Sequence, residues 1–316
     1  MIPYVVRRLV LLVPVMLIVG TVTFTLIHLT PGDPAAVMLG PEATPAQVAQ
    51  LRSELGIDQP LYRQYPRWLL DVARLDLGES IFLDRPVSEA IFDRITPTLQ
   101  LTLYSMFVAI LIGIPSGVLA ALNRNSLLDR VLMLVAMSGT AIAGFFLGML
   151  FILLFAVTLG WLPSGGYATL TGDPLRHFQS MLLPALALGM SIAGLPARLI
   201  RSTMLDVLHE DYIRTAVAKG LAPNAVAIRH ALRNALVPAI TVFGYTLGDL
   251  LGGAVVVETV FNLPGMGQLV VNSIARRDFP VIQGVVMVIA MCYLLSNLLV
   301  DVLYVALDPR VRHVSE

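Results

Sequence analysis

Six runs along this 316-residue chain are apolar enough and long enough to cross a bilayer: 9–29, 98–121, 131–159, 181–200, 235–257 and 282–305. A membrane-crossing helix needs about 20 largely apolar residues to span roughly 30 Å of hydrocarbon. The third run is longer than that, which predicts tilt or an extension beyond the lipid rather than a second crossing. Between the runs the pattern changes twice. Residues 30–97 read as a small soluble module, and residues 201–234 as a basic, glycine-broken insert. The pattern predicts an all-α polytopic membrane protein of about six transmembrane helices. Its parts are an N-terminus and first span (1–29), an external helical domain (30–97), a transmembrane core (98–305) holding the loop 201–234, and a tail (306–316).

Within the module, Thr44-Pro45-Ala46-Gln47 is a capping box with proline at the first helical position, and Gly56 is a natural stop. A second helix is expected from Pro60 to Arg74, with Tyr62, Tyr65, Trp68 and Leu69 turned inward or toward the headgroups. RPVSEAIFDRI then reads as an amphipathic elbow before Pro97 opens the second span. Ten acids against six arginines make the module mildly acidic. Alone, it reads as a cap on the outer face or as a platform for an external partner.

Composition narrows the class. The chain is 57% hydrophobic and 13% charged, against about 25% charged in soluble domains. The lone Cys292 excludes a disulfide or zinc site within the chain. His28, His177, His209, His230 and His313 are scattered and form no metal-ligand pattern. Lys219 is the only lysine, and no Gly-x-x-x-x-Gly-Lys-Ser/Thr loop exists, so the chain does not hydrolyse nucleotide by itself. Arg7 and Arg8 precede a stretch of about 20 apolar residues with no small-x-small cleavage site, which predicts an uncleaved first span.

Charge sets the orientation. Arg7, Arg8, Arg124, Arg130, Arg198 through Arg233, Arg310 and Arg312 fall on one set of connections. Only Arg176, Arg276 and Arg277 fall in the opposite short loops. The positive-inside rule places both termini and the loop 201–234 in the cytoplasm.

Inside the spans, Gly244, Gly248 and Gly252 recur at i, i+4 and i+8. Gly144 with Gly148 and Gly189 with Ala193 repeat the spacing, which lets helix backbones approach. Asp249 sits in the same span, where a carboxylate costs about 3 kcal/mol unless protein or water receives it. It either accepts hydrogen bonds from Tyr245, Thr246 or a neighbouring helix, or lines a polar pathway. No span carries the paired ionisable relay of a proton-coupled carrier. Pro14, Pro115, Pro184 and Pro238 each remove one intrahelical bond.

The loop itself, DYIRTAVAKGLAPNAVAIRHALRN, begins a short helix at Asp206 or at Glu210-Asp211 and runs it through Ile213, Ala216 and Val217. Lys219 lies at its end, and Gly220 supplies the left-handed residue that stops it. Pro223 then opens a second helix that carries Arg229, His230 and Arg233 toward the fifth span. The basic residues fit a headgroup anchor. Two helices with a defined turn fit a knob for a cytoplasmic partner better.

RTAVAKG followed by HALRNALVPAI resembles the cytoplasmic loop of permease subunits in bacterial ABC importers. Arg214-Thr215-Ala216 stands where Glu-Ala-Ala is usual in those loops, and Val237-Pro238 comes later than their usual register. LTPGDPA, LDLGES, VVVETVFNLPGMGQL and RRDFPVIQG are similar to the dipeptide/oligopeptide/nickel branch, so the resemblance covers nearly the whole chain. It implies the type I importer fold in a bacterial inner membrane. It also implies a sister permease, usually in a heterodimer, two ATP-binding subunits that carry ATP and magnesium, and an external substrate-binding protein. No cofactor on this chain and no nucleic acid are implied. The coupling residues are Asp211, Tyr212, Ile213, Arg214, Thr215, Ala216, Lys219 and Gly220. Gly248, Asp249, Gly252 and Glu258 are expected in the pathway or gate, with Glu258 to Gly267 a re-entrant or gate-proximal turn and Gly265 and Gly267 in its tight loop. The implied cargo is di- or oligopeptides, with nickel, glutathione or another small solute as alternatives. A secondary carrier or a membrane scaffold is the reading from another class.

Overall fold

Lipid offers no hydrogen bonds, so an apolar segment that crosses it must satisfy its own backbone, and a helix does this within one segment. In the computed structural model, which describes residues 2–29, 34–39, 43–55, 58–222 and 225–307, the apolar runs are helical, the third with one break. The order is α1 (Ile2–Leu29), α2 (Pro34–Leu39), α3 (Pro45–Leu55), α4 (Leu61–Ala73), α5 (Val87–Leu122), α6 (Leu127–Ala141) and α7 (Gly144–Phe151), the last continued by a wide π turn over Ile152–Thr158. Then come α8 (Pro174–Leu208), α9 (Asp211–Ala218), a π segment Val226–Leu232 that leads into α10 (Arg233–Val260), α11 (Met266–Arg276) and α12 (Phe279–Leu307). Among the described residues, five helices are long and apolar enough to cross a membrane unbroken, and α6 with α7 makes up to a sixth.

That sixth element corrects an expectation. The run 131–159 is not one tilted helix: it bends by 106° between α6 and α7. Ile142 and Ala143 have extended backbone there. Ser138, Gly139 and Gly144 flank the bend, and Gly/Ser pairs are common kink sites because they hold a helix weakly. The elbow expected before Pro97 is likewise absent, since α5 continues through both Pro97 and Pro115. Membrane helices accept such prolines because neighbouring groups receive the freed carbonyl.

The described residues fall into two compact units, Met1–Pro97 with Pro264–Leu294, and Thr98–Leu263 with Leu295–Glu316. In the first unit, the Thr44–Gln47 capping box forms as read: the Gln47 N–H donates to Thr44 Oγ1 at 3.3 Å and the Thr44 N–H to Gln47 Oε1 at 2.9 Å. Gly56 lies outside the described residues. Helix α4 lays Tyr65 and Trp68 against Phe24 of α1, with ring centroids 5.3 and 5.6 Å away. The Tyr65 and Thr21 hydroxyls are 2.6 Å apart. Tyr62 is exposed instead. The connection after α4 is fastened by buried Asp278, which accepts from Ser80 Oγ at 2.6 Å and from the Ile81 N–H at 3.3 Å.

In the second unit α8 is the hub. Gly189 lies against Ser105 and Val108 of α5, Gly144 of α7 against Ser191, and Gly148 against Ala187 and Phe261. These small residues pack helices within the chain. Gly194 is held against backbone, because a Cβ there would lie 2.5 Å from the Ala136 carbonyl oxygen of α6, with Thr140 Oγ1 closer still. Gly252 of α10 faces open space. Gly194→Ala is therefore expected to lower the melting temperature of the detergent-solubilised chain, despite a helix-propensity gain of about 1 kcal/mol. Gly252→Ala should hold or raise it. Equal shifts would mean that the α6–α8 approach is not tight.

Candidate functional site

Helix α8 ends at Leu208, and Glu210 in extended conformation starts α9. Eight residues form two turns, too few for an isolated helix to persist in water. Helix α9 is held by packing. Ile213 and Ala216, three apart on one face, are buried with Val226 against Val207, Leu208 and Leu221. The other face is exposed at Asp211, Tyr212, Arg214, Thr215, Val217 and Lys219. Tyr212 Oη accepts from Asn234 Nδ2 at 2.7 Å, which ties α9 to the start of α10. Arg214 meets Asp211 at 3.4 Å with both side chains largely in solvent, so the pair is weak and leaves both charges available.

The stop is well defined. Gly220 has φ of +80°, its N–H donates to the Val217 carbonyl at 2.9 Å, and the Leu221 N–H reaches back to the Ala216 carbonyl at 3.3 Å. Those two bonds and the Leu221 contact with the buried cluster constitute a Schellman cap, in which the left-handed position favours glycine. The second helix expected from Pro223 is not a separate element. Residues 223–224 lie outside the described set, and from Ala225 the chain winds without interruption into α10. From Ala225 on, the described residues of the loop extend the fifth span.

The structure separates the second group of expected residues from the first. Asp249 lies roughly 24 Å along the α10 axis from Arg233, and its side chain is exposed. Gly248 is buried and Gly252 exposed. The glycine stripe diverges because each four-residue step drifts about 40° on a 3.6-residue helix. Gly244 faces Val300, and Gly252 has turned away to open space. Glu258 is not in a turn beyond the span. It sits in the last turn of α10, fully buried, and its Oε1 accepts from Thr98 Oγ1 of α5 at 2.6 Å. The turn comes at Phe261 and Asn262, the latter with φ of +51°. Gly265 only precedes α11, and Gly267 lies inside it.

Two buried polar constellations were not anticipated. Asp129, 4% exposed, accepts from Arg201 Nε at 2.7 Å, from Arg201 Nη2 at 2.8 Å and from the Asn125 N–H at 3.0 Å. This fastens the α5–α6 turn to α8 about two turns before α8 ends. The Ser126-x-x-Asp129 cap pattern was readable in the sequence, but the distant arginine was not. Toward the other end of α8, fully buried His177 donates from Nδ1 to the Ala168 carbonyl at 2.7 Å. A carbonyl can only accept, and in the neutral ring this tautomer has Nε2 accept from the Tyr104 hydroxyl at 3.1 Å. Among the described residues no cluster of metal-ligating side chains occurs.

Residues 113–313 match a family model described as "Binding-protein-dependent transport system inner membrane component". The chain belongs to this family. Residues 1–102 match the model of the corresponding N-terminal part. The permease is 46% identical over 313 residues to "Glutathione transport system permease protein GsiC" of Salmonella paratyphi A, covering 99% of this chain and 100% of that one. The protein of the same description in Escherichia coli K12 is 44% identical over the same length. Inward-facing structures of the MetNI methionine ABC transporter align with a TM-score of 0.57 at 21% identity, over 69% of this chain and 96% of that chain. That likeness establishes the type I fold. The protein is a multi-pass inner-membrane permease of an ABC importer, and its role is transport rather than enzymatic chemistry.

Proposed function

We propose that this permease imports short peptides, glutathione among them, by alternating access. It supplies half of the pathway, and a sister permease supplies the other half. Two separate ATP-binding subunits seat on the exposed face of α9 (Asp211, Tyr212, Arg214, Thr215, Lys219), while Ile213, Ala216 and the Gly220 cap carry their motion into α8 and α10. ATP and magnesium belong to those subunits, and this chain needs no cofactor. Both termini are cytoplasmic, and residues 30–97 face the external binding protein. Gly248, Asp249 and Gly252 belong to the pathway, with Glu258 closing its outer end.

The observation that carries the cargo reading is full-length similarity to glutathione permeases. The coupling reading is supported by a two-turn helix buried on one face only and capped in fixed geometry. The test is uptake in proteoliposomes holding the assembled complex, ATP and the cognate binding protein. Glutathione or a dipeptide should accumulate only with ATP and binding protein together. Accumulation driven by an ion gradient without ATP would refute the reading.

A further inference from the structure

Helix α10 exposes one stripe. Tyr245, Asp249, Gly252 and Val256 follow at steps of four, three and four residues and are all exposed, while Phe243, Leu250, Ala254 and Val257 are buried in the second unit. Asp249 lies about 16 Å along the axis from the helix end at Val260, well inside the span. Among the described residues it has no hydrogen-bond or ion-pair partner. Thr246, the nearest hydroxyl in sequence, donates to the Phe243 carbonyl at 2.8 Å instead. A carboxylate at this depth costs about 3 kcal/mol against lipid, so the stripe faces protein or water rather than lipid.

Building on the peptide-import reading, we propose that Asp249 is the contact for the substrate's primary ammonium group inside the pathway. The charges are complementary, and every short peptide with a free amino terminus carries that group, as glutathione does. This chain itself leaves room beside the carboxylate, because a Cβ at Gly252, one turn on, would meet none of its atoms within 4 Å. Tyr245, one turn before, offers an aromatic face that a cation also favours. Asp249 is exposed rather than enclosed by its own chain, so the contact holds the ammonium weakly enough for release.

The experiment uses the assembled complex with saturating binding protein, comparing Asp249→Asn and Asp249→Glu with wild type. Asp249→Asn should lower dipeptide uptake about tenfold, the size of one charge-assisted hydrogen bond. Asp249→Glu should retain most of it, and recovery of the sister permease should be the same for both variants as for wild type. Uptake of the N-acetylated dipeptide, where wild type carries it, should not respond to Asp249→Asn. Wild-type uptake in Asp249→Asn overturns the proposal, as does an equal loss for free and acetylated peptide. Loss of the sister permease on purification overturns it too, since Asp249 would then pair with that subunit. A wild-type complex that moves no peptide at all would instead refute the parent reading.

Discussion

Gly220→Pro is expected to abolish ATP-driven uptake while the complex still assembles. The native φ of +80° is unreachable for a ring that holds φ near −65°. The substitution also deletes the N–H that donates to Val217 at 2.9 Å. Without the cap, Leu221 leaves the cluster that buries Ile213 and Ala216, and α9 loses the packing that keeps it helical. Milder changes grade the effect. Gly220→Asn, which tolerates left-handed backbone, should keep most transport. Gly220→Ala, strained by about 1 kcal/mol, should keep part. No Cβ clash complicates the series, because nothing lies within 4 Å of that position. Co-purification of all subunits together with binding-protein-stimulated ATPase in proteoliposomes separates coupling from assembly. Full coupled uptake in Gly220→Pro would show that α9 is not the transmitting element.

The Gly220 stop and the Thr44–Gln47 box were legible in the sequence because each is determined within a few residues. The bend between α6 and α7 was hidden because Ile142 and Ala143 are as apolar as their neighbours, and hydropathy does not register a change of backbone direction. Pro97 misled for the opposite reason: a strong local breaker is overridden inside a membrane helix. The three-glycine pattern was correct in register but not in consequence, since rotational drift gives Gly244 and Gly252 different surroundings. For Asp249 the sequence left two readings open. The structure removes the local hydroxyl of Thr246 from contention and puts the carboxylate on an exposed stripe. Arg201 read as one more cytoplasmic-side arginine, yet its guanidinium is engaged by an aspartate 72 residues earlier. Pairings of that kind are tertiary, and a single sequence does not carry them.

That ion pair supports the second large prediction. Asp129 and Arg201 share two hydrogen bonds, with the carboxylate buried and the guanidinium 27% exposed. Removing one member of such a buried pair costs about 3–5 kcal/mol, because the remaining charge keeps its desolvation penalty and loses its attraction. Replacing both by apolar groups avoids most of that loss. Arg201→Met should therefore lower the melting temperature of the purified chain sharply, since it strands the better-buried charge. Asp129→Ala should follow, as it also frees the Asn125 N–H at a left-handed residue (φ +64°). The double variant Asp129→Ala/Arg201→Met should recover most of the stability. A coupling energy of about 2 kcal/mol or more is expected from the cycle. Transport adds a second readout. If the clamp only holds the fold, the double variant should recover uptake with stability. If it also relays α9 motion from α8 to the α5–α6 turn, the double variant should be stable yet deficient in uptake. Additive single losses, with no recovery in the double variant, would show that the two side chains do not act as a unit.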